Sequence, residues 1–268
     1  MKVHFVTPGF VPFRLFEKGL EYLKATRTIT DFEHYFLDNH YPINRERNAA
    51  SLKDLCRENN ITWVDSGRDI GLHMSLNNWL DVAKPSDDDI MIGFDADSQP
   101  LDKGWDQALV DVLTGDSRIA VCGLYGHWFD DIKKSTLEAK QVNNVNYGIH
   151  PNTDMYNISG WNIGHVRKIG GFDQHYKLYG TLEACMWSKW SQLGLKVGYL
   201  LDYRETVGEY DMSKYTDEEY LQWKKVHLKG FQGGLEAWIE CGQPVIKTLT
   251  RLPNGESVPV WSGFTRKV

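Results

Sequence analysis

The sequence predicts an α/β fold built on a mostly parallel, Rossmann-like sheet with helices on both faces, and three observations carry that expectation. Short β-rich runs alternate with amphipathic segments through the first hundred residues, aspartates gather where those runs end, and 268 residues at 41% hydrophobic content suffice for a large core. "KVHFVT" reads as the first strand, and "FRLFEKGLEYLKAT" follows with Phe16, Leu20 and Leu23 at helical spacing. "HYFLD" and "ITWVD" are strands on either side of "NRERNAASLKDLCREN", where Leu52, Leu55 and Cys56 make one apolar face. "GLHMSLNNWLDVAKP" places Leu72, Leu76, Trp79, Leu80 and Ala83 on a helix that Pro85 helps to stop, and "DIMIGFD" is the fourth strand. Strands joined by helices imply right-handed crossovers, and such sheets bind ligands beyond the carboxyl ends of their strands. Thr7, Asp38, Asp65, Asp95 and Asp97 all fall at those ends.

The second half is less regular. "GWDQALVDVLTG" reads as a helix and "RIAVCGLYG" as a strand, whereas residues 125–155 are polar, Asn-rich and without period, and are expected to form a long excursion. Trp128, Asn143, Asn144 and Asn146 fall in that excursion. "YNISGWNIGHVRKIGGFDQ", "LEACMWSKWSQLG" and "KVGYLL" supply a strand, a turn, a helix and a strand. A charged helical segment is expected from about Thr216, and Asn254-Gly255 in "TLTRLPNGESVPVW" predicts a terminal hairpin. The run "DDD" at 87–89 reads as a solvated loop, and Lys224, Lys225 and Lys229 as a solvated helix face. No repeat or linker divides the chain, so one domain over 1–268 is expected, with a first half (1–100), a second half of mixed strands (101–205) and a C-terminal helical segment and hairpin (206–268).

Composition narrows the function classes. A net charge of −6 gives no overall basic footprint for nucleic acid. Four cysteines, far apart and without a C-x-x-C pair, suggest neither a zinc ribbon nor a disulfide framework. The apolar run at the start ends at Pro8-Gly9, too short for a signal peptide, and no apolar stretch reaches the roughly 18 residues of a membrane span. A soluble, cytoplasmic protein is the expectation. Ten Trp and 13 Tyr suit sugar rings or bases but equally fill cores.

The chemistry centres on "FDADSQP". In extended chain, Asp95 and Asp97 share one face while Ala96 points the other way, and two like charges inside a cleft call for a cation. Mg²⁺ or Mn²⁺, hard ions that take carboxylate oxygens and bridge to phosphates, fit such a pair. The alternative is a plain turn, because Asp, Ser and Pro are turn residues.

About 75 residues later comes "GGFDQHYKLYGTLEACMWSKWSQLGLKVGYL". The order of strand, "LDN", helix, "FDAD", "GGFD", an acidic helix start and "LGLKVGYL" resembles the GT-A glycosyltransferases of the large family-2 type over roughly residues 1–202. The resemblance implies a GT-A fold in which residues 1–100 are the nucleotide-sugar-binding half, 101–205 the acceptor-binding and catalytic half, and Asp95 and Asp97 hold the metal and the nucleotide diphosphate. It sets Thr7 and Asp38 at positions that meet a uracil base, and Arg68, in "SGRDIG", near the uracil or diphosphate. Counting back from Gly194 sets Lys189 against the motif arginine and Glu183 where the catalytic base stands, although Leu182 replaces one of the two adjacent acids that the family prefers. Glu183 is also an ordinary first-turn helix acid, favoured by the helix dipole. His227, in "KKVHLKG", is a further candidate metal ligand, since some GT-A enzymes add a histidine from the C-terminal region.

These readings converge on a metal-dependent, inverting glycosyltransferase that uses a nucleotide-sugar donor, a UDP-sugar first, with Mn²⁺ or Mg²⁺ as cofactor. The acceptor stays open among a glycan, a protein, a lipid-linked sugar and a hydroxymethylated base in DNA, and the excursion at 125–155, with Trp128, Asn143, Asn144 and Asn146, is expected to line its side of a cleft whose donor side is residues 1–97. Two other classes stand beside it. A nucleotidyltransferase would share the sheet and the carboxylates, but its G-x-G-x-R opening loop is missing from "VTPGFVPFRLFEK". A non-catalytic carbohydrate-binding protein would use the aromatics without an acid at 183.

Overall fold

The computed structural model of the chain describes residues 1–126, 137–150, 157–172, 182–207, 245–251 and 257–262. Its first half follows the sequence closely: β1 (Val3–Gly9), α1 (Phe13–Thr26), β2 (Glu33–Asp38), α2 (Arg45–Glu58), β3 (Thr62–Asp65), α3 (Gly71–Ala83) and β4 (Ile90–Phe94). The strands are parallel in the order β3-β2-β1-β4, with Gly9 opposite Asp38 and Asp38 opposite Asp65. Their apolar runs are nearly continuous because both faces are covered. Along β2, Phe36 enters one core cluster with Phe5, Phe16, Leu52 and Trp105, while Leu37 enters a second with Val6, Trp79, Trp161 and Trp190.

Beyond β4 the sheet becomes mixed, as expected of the second half. β5 (Ser98–Pro100), α4 (Trp105–Gly115), β6 (Ile119–Gly126), β7 (Glu138–Val142), β8 (Val145–His150) and β9 (Ile158–Asn162) lead to α5 (Ile163–Lys168), α6 (Leu182–Gln192) and β10 (Lys196–Val207). The sheet of ten strands runs β3-β2-β1-β4-β9-β6-β10-β8-β7, and β5 pairs with the far end of β10. β9 lies antiparallel to both β4 and β6 and so joins the two halves. Helices α1, α2 and α4 pack on one face of the sheet and α3, α5 and α6 on the other. Asp106, fully buried in the first turn of α4, accepts hydrogen bonds from the backbone of Thr28 and Ile29 and from the Thr28 hydroxyl, which ties the α1–β2 connection to the second half.

Three readings are corrected. Within the 125–155 excursion, the described residues 138–150 are regular: β7 and β8 form a hairpin in which Val142 pairs with Val145. Asn143 and Asn144, at φ of 48° and 66°, make the tight connection, the left-handed pair that Asn tolerates best among residues with a side chain. The "DDD" run is solvated only at Asp87 and Asp88. Asp89 is buried, because its carboxylate accepts from the Lys2 and Ser86 backbone and so fastens the start of β4 to the start of β1. The strand expected as "KVGYLL" runs on to Val207. The terminal hairpin is present as β11 (Val245–Arg251) and β12 (Ser257–Ser262), with Arg251 opposite Ser257. The expected helical segment from Thr216 lies outside the described residues. Among the described residues no helix is long and apolar enough to cross a membrane.

Buried His34 gives the fold a measurable acid sensitivity. Its Nε2 is 2.9 Å from Thr7 Oγ1. Burial, and secondarily the charge of Arg27, lowers its pKa to about 3. An unfolded histidine titrates near 6.5. Between those values the unfolded chain takes up a proton that the folded chain refuses, so stability falls as pH falls, by up to about 1.4 kcal/mol per pH unit. Urea midpoints measured from neutral pH to pH 4 are expected to drop less steeply in His34→Gln. Parallel slopes in the two proteins would show that His34 does not carry the effect.

Candidate functional site

The carboxyl ends of the parallel strands bring Asp65, Asp38, Gly9 and the residues after Phe94 side by side. Asp95 and Asp97 do not lie in extended chain. β4 ends at Phe94, and the Ser98 backbone N–H donates to the Asp95 carbonyl at 2.9 Å, closing a four-residue turn before β5. The strand and turn readings of this stretch thus each hold for part of it. Ala96 is buried between the two half-buried aspartates. Its carbonyl packs on α1 at Gly19: a Cβ built there would stand 2.7 Å from the Ala96 oxygen and 3.1 Å from that of Ser98. A helix-interior glycine, ordinarily a weakness, is therefore what lets the turn seat on the helix.

A buried carboxylate that sequence reasoning did not find feels the charges of this turn. Glu205, 2% exposed, sits on β10 opposite Pro100 of β5 and Gly126 of β6. Its carboxylate takes backbone hydrogen bonds from Ile158 and Asn157, yet its Oε2 has no hydrogen-bond partner. Burial first, then the negative charges of Asp95 and Asp97, push its pKa well above the ordinary carboxylate range. Asn157 links the two parts of the site, because its carbonyl accepts the Asp95 N–H at 2.9 Å while its own N–H serves Glu205. No motif marks Glu205; the only signal in the sequence was its place in a strand that polar residues made look finished.

The other expected residues are placed as follows. Thr7 is fully buried, with its hydroxyl on His34. Asp38 is 1% exposed and its two oxygens are held by the Arg45 guanidinium. Beside it, His40 Nε2 is 2.8 Å from Asp65 Oδ1 and 4.0 Å from Asp38 Oδ2. The His40 hydrogen bond and the Gly67 N–H hold the Asp65 carboxyl below its usual range. Asp38, His40 and Asp65 are close enough to share a metal ion, but Arg45 already supplies a cation to that set. Arg68 is exposed in the bend after β3. Glu183 is the second residue of α6, in its first turn as expected, and its side chain lies outside the described residues. Lys189 is buried on the same helix, with Nζ 3.5 Å from the Ile169 carbonyl. His227 and Trp128 lie outside the described residues, and Asn146 donates to Asp202 at 2.8 Å.

Neither a family model nor a curated protein matches the sequence. Solved structures do match the fold. GalNAc-T7 with UDP, GalNAc and Mn²⁺ superposes with a TM-score of 0.61 at 12% identity, over 77% of this chain and 44% of that one. The mannosyltransferase PcManGT of Pyrobaculum calidifontis, in complex with GDP-Man and Mn²⁺, gives 0.59 at 14% identity over 91% of this chain and 66% of its own. S. aureus TarS residues 1–349 with UDP give 0.54 at 14% identity, over 77% and 61%. This chain thus spans less than half of the first of these proteins and about two thirds of the second. At such identities the likeness shows the fold alone, and that fold is the GT-A architecture which the motif order implied.

The seating of the Asp-Ala-Asp turn on α1 yields a prediction. Gly→Ala inside a helix ordinarily stabilises by about 0.5–1 kcal/mol. Gly19→Ala is expected to do the reverse and lower the melting temperature, because backbone oxygens rather than flexible side chains stand in the way. A melting temperature at or above wild type would show that the turn yields freely.

Proposed function

We propose that this chain is a divalent-metal-dependent glycosyltransferase that moves a sugar from a nucleotide sugar, a UDP-sugar first, to an acceptor hydroxyl with inversion at the anomeric carbon. The observation that carries the reading is the Asp95-Ala96-Asp97 turn at the carboxyl end of a parallel strand, in a sheet shared with proteins crystallised with nucleotide sugars, UDP and Mn²⁺. The donor set fits the ion. Two half-buried carboxylates on one tight turn offer hard oxygens, and Ala96 between them is turned into the core. Asp95 and Asp97 are the residues that would hold it. When bound, such an ion supplies compensation for the charge that develops on the leaving diphosphate.

In this proposal the chain's own groups do the rest. The ends of β1, β2 and β3 form the donor side. Thr7 and Asp38, buried on His34 and Arg45, brace the strand ends beneath the nucleotide base, and Arg68, exposed in the bend after β3, is the side chain of that layer open to meet the base or the diphosphate. Glu183 takes the proton of the attacking hydroxyl. Its place in the first turn of an 11-residue helix favours the ionised carboxylate, because the helix dipole is positive at that end. A single base and in-line attack from the face opposite the diphosphate invert the anomeric carbon. The acceptor is a glycan or a hydroxymethylated DNA base, received on the side of the β7–β8 hairpin.

Asp97→Asn preserves the volume and removes one ligand charge. UDP titrated calorimetrically with Mn²⁺ and again with chelator is expected to bind more weakly in chelator for wild type, and equally weakly in both for the mutant. Equal wild-type affinities in the two conditions would remove the metal from the reading, and a protein that ignores both UDP and Mn²⁺ would favour a carbohydrate-binding module. For the chemical step, Glu183→Gln is expected to slow transfer by about a hundredfold or more while UDP affinity stays close to wild type. Wild-type transfer by that mutant would falsify the base assignment. An NMR spectrum of the product with the donor's anomeric configuration retained would eliminate single displacement.

A further inference from the structure

We infer that Asn77 is a positioning residue for the transfer step: from the middle of α3, its side-chain amide fixes the turn that leads towards the helix of Glu183, an inference that rests on the reading of Glu183 as the base. Asn77 Nδ2 donates to the Phe172 carbonyl at 2.7 Å, and its Oδ1 accepts the Phe172 N–H at 3.0 Å. One amide thus meets both backbone groups of a residue 95 positions further along the chain. Phe172 stands outside any helix or strand, just after Gly170 and Gly171 at φ of 89° and 85°, so its backbone groups need partners from elsewhere. A Cβ on Gly171 would stand 2.8 Å from Asn77 Oδ1, so the glycine is what lets the amide come this close. A side-chain amide carries a donor and an acceptor side by side, which is what the pairing requires. The helix itself gives no reason for the choice, because asparagine is a weaker helix former than leucine or alanine.

The pairing joins the two sides of the site. Two residues earlier on α3, Ser75 Oγ accepts from Asn39 Nδ2 at 3.2 Å, and the Asn39 backbone N–H donates to the Gly9 carbonyl at 3.0 Å, so α3 is tied to the ends of β1 and β2. On the other side, α6 is fastened to the segment that Asn77 holds. Trp190 Nε1 donates to the His165 carbonyl at 3.1 Å, Lys189 Nζ lies 3.5 Å from the Ile169 carbonyl, and the Trp161 ring stands 5.5 Å from that of Phe172 and 5.8 Å from that of Trp190. Leu76, Trp79, Phe172 and Trp190 share one core cluster, but burial is non-directional and does not set how far one element slides along another. Two directed hydrogen bonds do. That setting matters to chemistry, since a misplacement of about 1 Å caused far from the reacting atoms can slow a reaction about a hundredfold.

The test compares the full wild-type chain with Asn77→Asp, Glu183→Gln and the double variant. Asn77→Asp keeps the shape and still accepts the Phe172 N–H, but it sets a carboxylate oxygen against the Phe172 carbonyl. Turnover is read as UDP released from a panel of UDP-hexoses with Mn²⁺, with a glycan or DNA containing hydroxymethylated bases as acceptor, and donor binding as the calorimetric affinity for UDP. Asn77→Asp is expected to lower kcat by about tenfold or more, with donor KM and UDP affinity within about twofold of wild type. The double variant is expected to be no slower than Glu183→Gln, because a residue that acts through the base then has nothing left to position. A kcat within about twofold of wild type overturns the inference, whatever the melting temperature. A loss of UDP affinity in proportion to the loss of kcat also overturns it, since that marks general loosening, as does a double variant slowed by the product of the two single effects. If Asn77→Asp does not fold, Asn77→Ser, whose hydroxyl is too short to meet both backbone groups, is read by the same criteria. Failure of the underlying reading looks different. A wild type that releases no UDP removes the transferase, and Glu183→Gln at the wild-type rate removes the base, and the inference falls with either; a slow Glu183→Gln beside a fast Asn77→Asp removes the inference alone.

Discussion

β9 is inserted antiparallel between β4 and β6, and the candidate site depends on how that insertion begins. Ile158 pairs with Phe94, the last residue of β4, so the residue before it, Asn157, lies beside the start of the Asp-Ala-Asp turn. Its carbonyl takes the Asp95 N–H and its N–H serves Glu205. One peptide segment thereby fixes the turn that carries two carboxylates and the strand side chain that carries a third. Were β9 to slip by one residue, every side chain on it would change faces and Trp161 would leave its cluster with Phe172 and Trp190. The packing of the second core cluster thus holds the site in register.

The same geometry explains why negative charge accumulates here at a tolerable cost. Parallel strands end together, and the helices that follow them begin nearby, so the carboxyl edge of the sheet is rich in backbone N–H groups that suit anions. Three of the acids there have partners that differ in kind. Asp38 is held by Arg45, Asp65 by His40 and the Gly67 N–H, and Glu205 by the Asn157 and Ile158 backbone. Of these, Asp38 is held by a guanidinium, whereas Glu205 relies on backbone N–H groups alone.

Opposite the site, the packing of α1 sets a limit on what the turn can be. Phe16, Leu20 and Leu23 bury one face of the helix, and Gly19 stands where that face meets the turn. A larger residue at 19 would push backbone against backbone, so the choice of glycine in a helix interior is a property of the site rather than of the helix.

Local pattern alone determined the layered half of this protein. The spacing of Phe16, Leu20 and Leu23, of Leu52 and Cys56, and of Leu76 and Trp79 specified helices that cover a sheet, and the β-rich runs between them specified the strands, because side-chain periodicity is a short-range property that survives without knowledge of the partner. The aspartates at the strand ends were legible for the same reason. Asn143-Asn144 was locally legible too, and was passed over because the polar residues around it masked the two short strands that it joins. What the sequence could not state was which distant residues meet. Glu205 is one acid in the polar stretch "DYRETV", and nothing near it in the chain distinguishes it from a surface residue. Its burial follows from β5 and β6 closing on the far half of β10, pairings whose partners are some 80 to 105 residues away and whose outcome depends on the whole sheet. Tertiary structure likewise turned Thr7 and Asp38 inward, onto His34 and Arg45, because burial obliges polar groups to find partners and those partners come from neighbouring elements.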